Sequence, residues 1–239
     1  MHHNKRFATR AIHAGQRPDP TTGAIMTPVY QTSTYVQQSP GVIIEDYDYA
    51  RSANPTRKAL EENIASLEGG RHGLMFASGL AALAACVHLL QSGDHVVLCD
   101  DVYGGTFRSL DRVFTQFGVT YTRVDMTDLD ATEGAFTAKT KLCWIETPTN
   151  PLLKIIDIEA VARIAKAKGA ITGVDNTFAS PVLQNPLALG ADVVLHSCTK
   201  YIGGHSDVIG GVLIVNDDEL AQRLKFTQNA VGAVMAPWD

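Results

Sequence analysis

No block of basic residues, no Cys-x-x-Cys pair and no apolar run long enough to span a bilayer occurs in this 239-residue chain. Lysine and arginine number 20 against 25 acidic residues, a formal charge of −5, which argues against nucleic acid as the main partner and for a small molecule. The longest apolar run, residues 80–90, is too short for a transmembrane helix and carries His88, so no membrane partner is expected. Residues 1–6 are basic, but the apolar segment of a secretory leader does not follow them. Cys86, Cys99, Cys143 and Cys198 are far apart and mostly sit in apolar runs, so they read as buried free thiols and suit a reducing cytoplasm. His205 has no second histidine at metal-ligand spacing, and no metal site is expected. No G-x-G-x-x-G follows a strand, which counts against a dinucleotide-binding domain.

What is present suits a globular α/β protein. Apolar residues make up 45% of the chain, enough for one large core or two small ones. From Thr9 to Tyr35, prolines at 18, 20 and 28 among polar residues predict an extended arm that cannot fold alone. Asn54-Pro55 reads as a capped helix start, and Leu60, Ile64 and Leu67 at helical spacing carry that helix over 55–68, to a stop at Gly69-Gly70. Short apolar runs then alternate with helical segments. Strands are predicted over 73–76, 95–99, 119–124, 141–146, 171–175, 193–195 and 211–215, with helices opening near 79, 104, 128, 157 and 217. That alternation predicts a mainly parallel sheet with ligands at the carboxyl ends of its strands.

Lys200 is the focus of the chain. It follows the apolar run Val193–Leu195 and precedes Gly203-Gly204 and Gly210-Gly211, glycines dense enough to let backbone approach backbone or ligand closely. Ser197 and Thr199 flank it at alternate positions, so in an extended segment both hydroxyls point one way and Cys198 the other. Two hydroxyls beside an ammonium suit a phosphate. A lysine amine in a dry site can lose its proton near neutral pH and attack a carbonyl. Pyridoxal 5'-phosphate offers both groups. The ordinary alternative is a strand-end lysine solvating a rim.

The run S-x-T-K-Y-x-x-G-H-S-D at 197–207 closely resembles the lysine motif of the Cys/Met-metabolism family of pyridoxal-phosphate enzymes, and the likeness extends from about Arg10 to the last residue. Cystathionine γ-lyases and γ-synthases are the nearest-looking members. The resemblance implies fold type I, aspartate aminotransferase-like, with a mainly parallel seven-stranded sheet preceded by an extended N-terminal arm. It implies that residues 1–62 form an arm and first helix serving a neighbouring subunit's active site, and that 63–239 form the cofactor-binding large domain. It further implies a C-terminal domain, with an arginine for the substrate carboxylate, that this chain is expected to lack.

The same resemblance assigns site residues. Tyr49 and Arg51, in Y-x-R-x-x-N-P-T, match residues that reach across a subunit boundary to the neighbour's cofactor phosphate; an arginine fork suits that group. Ser78, Gly79 and Leu80 match the turn S-G-M-A-A, with Leu80 in place of methionine, where helix-start amides form an anion site. Tyr103 matches the tyrosine that stacks on the pyridine ring and helps move protons. Asn150 matches the asparagine near the cofactor's phenolic oxygen, Asp175 the carboxylate that pairs with the ring nitrogen, and Thr177 a support for the ring. With Ser197, Thr199 and Lys200 these complete the implied cofactor site.

The implied activity is cleavage of the Cγ–S bond of cystathionine to cysteine, 2-oxobutanoate and ammonia, in a homodimer with shared sites or a tetramer. The runner-up is γ-replacement of an O-acylhomoserine by cysteine. O-acylhomoserine sulfhydrylation and methionine γ-cleavage rank lower, the latter because methionine γ-lyases tend to have cysteine where Gly105 stands.

Overall fold

The computed structural model describes residues 5–239. Helix α1 (Phe7–His13) opens the described chain and α2 (Pro55–Glu68) follows a long irregular segment. The elements then alternate: β1 (His72–Phe76), α3 (Gly79–Val87), β2 (His95–Cys99), α4 (Gly104–Arg112), β3 (Thr120–Val124), α5 (Leu129–Gly134), β4 (Thr140–Glu146) and α6 (Ile158–Ala167). After β5 (Ile171–Asp175) come the short α7 (Ser180–Leu183), β6 (Val193–Ser197), β7 (Gly211–Val215) and α8 (Asp218–Val231). The seven strands form one sheet in the order β1-β7-β6-β5-β4-β2-β3. Its middle is parallel and β7 runs antiparallel to both neighbours.

Thr9 to His13, expected in an extended arm, are helical. This short helix packs on α2, where Asn63 Nδ2 donates to the carbonyls of Arg10, Ala11 and Ala14 and ties it down. From there to Ala53 the backbone is irregular, held by isolated bridges such as Thr34–Tyr49.

Local chemistry accounts for the elements. Asn54 Oδ1 accepts from the amides of Thr56 and Arg57, Pro55 takes the first helical position, and Gly69 ends α2 at φ 73°, a conformation glycine reaches without a Cβ penalty. Strand β2 is apolar after His95 because both faces are covered, and Val96, Val97, Leu98 and Cys99 are all fully buried. The main core joins β2, β4 and β5 to α3, α4, α6 and α8. A second cluster lies where α2 crosses the β1–β7–β6 side: Ile64 and Ala65 pack with Met75, Val194, Val212 and Ile214. The boundary drawn at residue 62 therefore falls inside a helix that belongs to the sheet's own packing. Among the described residues no helix is long and apolar enough to cross a membrane.

Candidate active site

Five connections from strand ends meet over the carboxyl edge of the sheet. They enclose a cavity of about 300 Å³, large enough for a small cofactor. Ser78, Gly79, Leu80, Tyr103 and Asn150 line it from the loops after β1, β2 and β4. Asp175, Thr177, Ser197, Thr199 and Lys200 line it from β5, β6 and the turns that follow them. Ten of the twelve residues assigned from sequence thus share one cavity. Tyr49 and Arg51 do not. Both are exposed, Arg51 lies 5.0 Å over the Tyr49 ring, and its Nε donates to Asn229 at 3.1 Å, beside the end of α8.

One end of the cavity is built for an anion. Ser78 caps α3, its Oγ accepting from the amide of Ala81 and its carbonyl from Ala82, which leaves the Gly79 and Leu80 amides as the unmet donors of that helix start. The turn sits this close because two glycines permit it. A Cβ on Gly79 would lie 2.9 Å from Ser197 Cβ, and one on Gly211 would lie 2.2 Å from the carbonyl oxygen of Ser78. Leu80 contributes as backbone, so its replacement of methionine leaves this donor in place.

The opposite end carries carboxyl groups. Asp175 ends β5, and its Oδ1 accepts from the amide of Thr177 at 3.0 Å. Loss of hydration pushes its carboxyl above the ordinary aspartate range, opposed by the Thr177 hydrogen bonds and by nearby His196. Thr177 Oγ1 accepts from the amide of Ser197 at 2.8 Å and so pins the turn after β5 to the end of β6. A carboxyl partly enclosed beside a second one is unfavourable in itself and is relieved by a cation. A protonated ring nitrogen is such a cation, and with the anion site at the other end the residues fit pyridoxal phosphate.

Lys200 departs from expectation. It lies exposed, not in a dry strand-end site. Strand β6 stops at Ser197, and the chain coils into turns closed by Lys200 N to Ser197 O at 3.2 Å and Gly204 N to Lys200 O at 2.7 Å, which lift the lysine to the cavity mouth. The segment 197–199 is accordingly a turn and not an extended run. Even so, Ser197 and Thr199 line the cavity while Cys198 is buried in the second core cluster. Thr199 Oγ1 also accepts from the Gly210 amide at 3.1 Å, tying the two glycine-rich turns together.

Two contributors were not singled out in the sequence. Glu146, buried at the end of β4, accepts from the Tyr103 amide at 2.8 Å. Asp101 Oδ2 accepts from Thr149 Oγ1 at 2.5 Å and from the Leu152 amide at 2.8 Å, fastening the loop that carries Asn150 to the loop that carries Tyr103. The only signal for either is its place at a strand's carboxyl end.

Gly105 matters through space. A Cβ there would stand 2.3 Å from Cε1 of Tyr103, so any side chain must displace the ring. In the full-length protein Gly105→Ala is expected to lower kcat by up to about 10²-fold, the scale set by displacing a reacting group by about an ångström. Steady-state kinetics would show it, and an unchanged kcat would mean the ring position is immaterial.

The chain belongs to the Cys/Met metabolism PLP-dependent enzyme family, which it matches over residues 8–239. The cofactor of that family is pyridoxal phosphate. A cystathionine β-lyase of Coxiella burnetii is 56% identical over 97% of this chain and 60% of its own length. A cystathionine γ-lyase of Dictyostelium discoideum is 56% identical over 99% and 61%, and a cystathionine γ-synthase of Mycobacterium tuberculosis 56% over 97% and 60%. Among solved structures, metB from Corynebacterium glutamicum superposes with a TM-score of 0.97 at 49% identity, covering 99% of this chain and 62% of that one. A cystathionine γ-lyase from Lactobacillus plantarum, complexed with L-serine, gives 0.95 at 49% identity, covering 98% and 61%. The chain spans about 60% of the length of the curated relatives it matches.

Proposed function

We propose that this chain is part of a pyridoxal-phosphate-dependent transsulfuration enzyme that cleaves the Cγ–S bond of cystathionine, with water, to cysteine, 2-oxobutanoate and ammonia. The observation that carries this reading is the meeting of an amine, a phenol and a carboxyl, Lys200, Tyr103 and Asp175, in one cavity with an anion site. All three relatives named above are cystathionine enzymes.

Bound here, pyridoxal phosphate supplies an electron sink for charge that develops on the substrate. The unmet amides of Gly79 and Leu80, with the Ser78, Ser197 and Thr199 side chains, hold its phosphate. Asp175 holds the proton at the ring nitrogen, and Thr177 and Asn150 orient the ring. Lys200 Nζ takes the proton from the substrate Cα, and the Tyr103 hydroxyl gives one to the departing sulfur. Tyr49 and Arg51 stand away from their own cavity and serve that of a second copy, so the working unit is at least a dimer. A tetramer is our reading of the full assembly. The free cysteines are all buried, which supports a reducing cytoplasm.

A γ-synthase reading has specific support in the M. tuberculosis relative, and a β-lyase reading in that of C. burnetii. Incubating the full-length protein with cystathionine, and separately with an O-acylhomoserine plus cysteine, separates the three. Cysteine and 2-oxobutanoate from the first mixture are expected. Homocysteine and pyruvate would mean β-cleavage, cystathionine formed in the second mixture would mean γ-replacement, and no product from either would end the transsulfuration reading.

A further inference from the structure

Glu146 has a place in the cavity that no role above uses. It is the last residue of β4 and pairs in register with Asp175, the last residue of β5. In neighbouring parallel strands, residues in register project to the same face about 5 Å apart. The two carboxyl groups therefore stand side by side at the ring-nitrogen end of the cavity, which both residues line. Glu146 is 6% exposed, and one oxygen is committed to the Tyr103 amide at 2.8 Å.

That contact fixes the backbone from which the Tyr103 ring projects. Tyr103 is the N-cap residue of α4, yet its side chain makes no capping bond and is 46% exposed. The ring is held from two directions, by the Glu146 tether on its backbone and by the space over Gly105 into which it settles.

We infer that Glu146 is the positioning residue of Tyr103, and that the tether changes strength as Glu146 gains or loses its proton beside Asp175. The inference rests on the cofactor-site reading for its function, though not for its geometry. The groups facing Glu146 are Asp175 from β5, Asp101 in the loop after β2, the Cys99 thiol on β2 and, across the cavity, Lys200; His196 stands near Asp175. Burial first and the Asp175 charge second hold Glu146 above the ordinary glutamate range, and the Tyr103 hydrogen bond opposes them. A neutral carboxyl accepts the Tyr103 amide weakly, an ionised one strongly. Deprotonation should therefore tighten the ring's hold.

The test places para-fluorophenylalanine, which does not titrate, at position 103 of the full-length protein and follows its fluorine NMR resonance from about pH 5 to about pH 10, spanning the ordinary carboxyl range and beyond. The expected result is a step in chemical shift with a midpoint above the ordinary glutamate range. Glu146→Gln, which keeps an acceptor for the amide, should leave the resonance near its position and abolish the step. Asp175→Asn, which removes the neighbouring charge, should move the step to lower pH. Glu146→Ala should displace or broaden the resonance at every pH. A step that survives in Glu146→Gln, or a resonance unmoved in Glu146→Ala, would overturn the proposal. If Glu146→Ala does not fold, the other two variants carry the test. None of these readouts needs the cofactor, so a failure of the cofactor reading would be seen separately, as the lack of a Lys200-dependent visible band.

Discussion

Lys200→Ala is expected to remove the visible absorbance that the full-length protein acquires with pyridoxal phosphate, and to lower turnover by at least about 10²-fold, the lower end of what a positioned base contributes. The amine is the one group among the cavity's side chains able to condense with an aldehyde to a carbon–nitrogen double bond, which neither hydroxyl beside it can form. Stability should hardly move. The side chain is exposed and the turn that carries it is closed by backbone bonds, so a change within about 0.5 kcal/mol is expected for such a surface substitution. Absorbance spectra, kinetics and urea denaturation of the same preparation check all three points. A variant that keeps the band would refute the assignment of Lys200, and one that loses both band and fold would show that the residue is structural.

Glu68→Ala should do the reverse, with a loss of about 3–5 kcal/mol, the scale of one buried donor left unpaired together with two further buried hydrogen bonds lost. Glu68 ends α2, where a carboxylate meets the unfavourable end of the helix dipole, yet it is only 1% exposed. What holds it there is a buried polar cluster. Oε1 meets His196 Nε2 at 2.5 Å and accepts from Asn176 Nδ2 at 2.7 Å, and Oε2 accepts from Asn185 Nδ2 at 3.2 Å. Gln184 Nε2 completes it, donating to Asn176 Oδ1 at 2.9 Å and to the Thr147 carbonyl at 3.0 Å. Truncation leaves His196 Nε2 without its partner in an interior that water does not reach, and takes one acceptor each from Asn176 Nδ2 and Asn185 Nδ2, which keep the carbonyls of Gln184 and of Leu67 and Pro181. Because Asn176 follows Asp175 directly, the cluster also braces the floor of the cavity. Equilibrium urea unfolding measures the loss, and Glu68→Gln should lie between wild type and Glu68→Ala. A cost of Glu68→Ala near 1 kcal/mol would mean that the interior relaxes around the gap.

Much of the fold could be read along the chain. Predicted strands 95–99, 171–175 and 211–215 coincide with β2, β5 and β7, and the helix predicted over 55–68 coincides with α2. Less was legible where local signals compete. The helix opened near 128 is only Leu129–Gly134, and the one opened near 104 ends at Arg112, followed by a single tighter turn, Phe114–Phe117. The short α7 carries no apolar period long enough to be seen. Glu68 and His196 are lone polar residues, one at a helix end and one in an apolar strand, and neither names its partner 128 positions away.

The amino-acid order by itself determined which segments are strands and helices and which side chains carry chemistry, because caps, periodicity and glycine punctuation act over a few neighbouring residues. The family likeness at Lys200, Asp175 and Tyr103 was visible for the same reason. Only the tertiary structure decided that Glu146 stands beside Asp175 and that Lys200 lies at an open mouth. Those facts follow from strand register, crossover and packing between segments far apart in the chain, and such pairings come into being only when the sheet closes and buries its core.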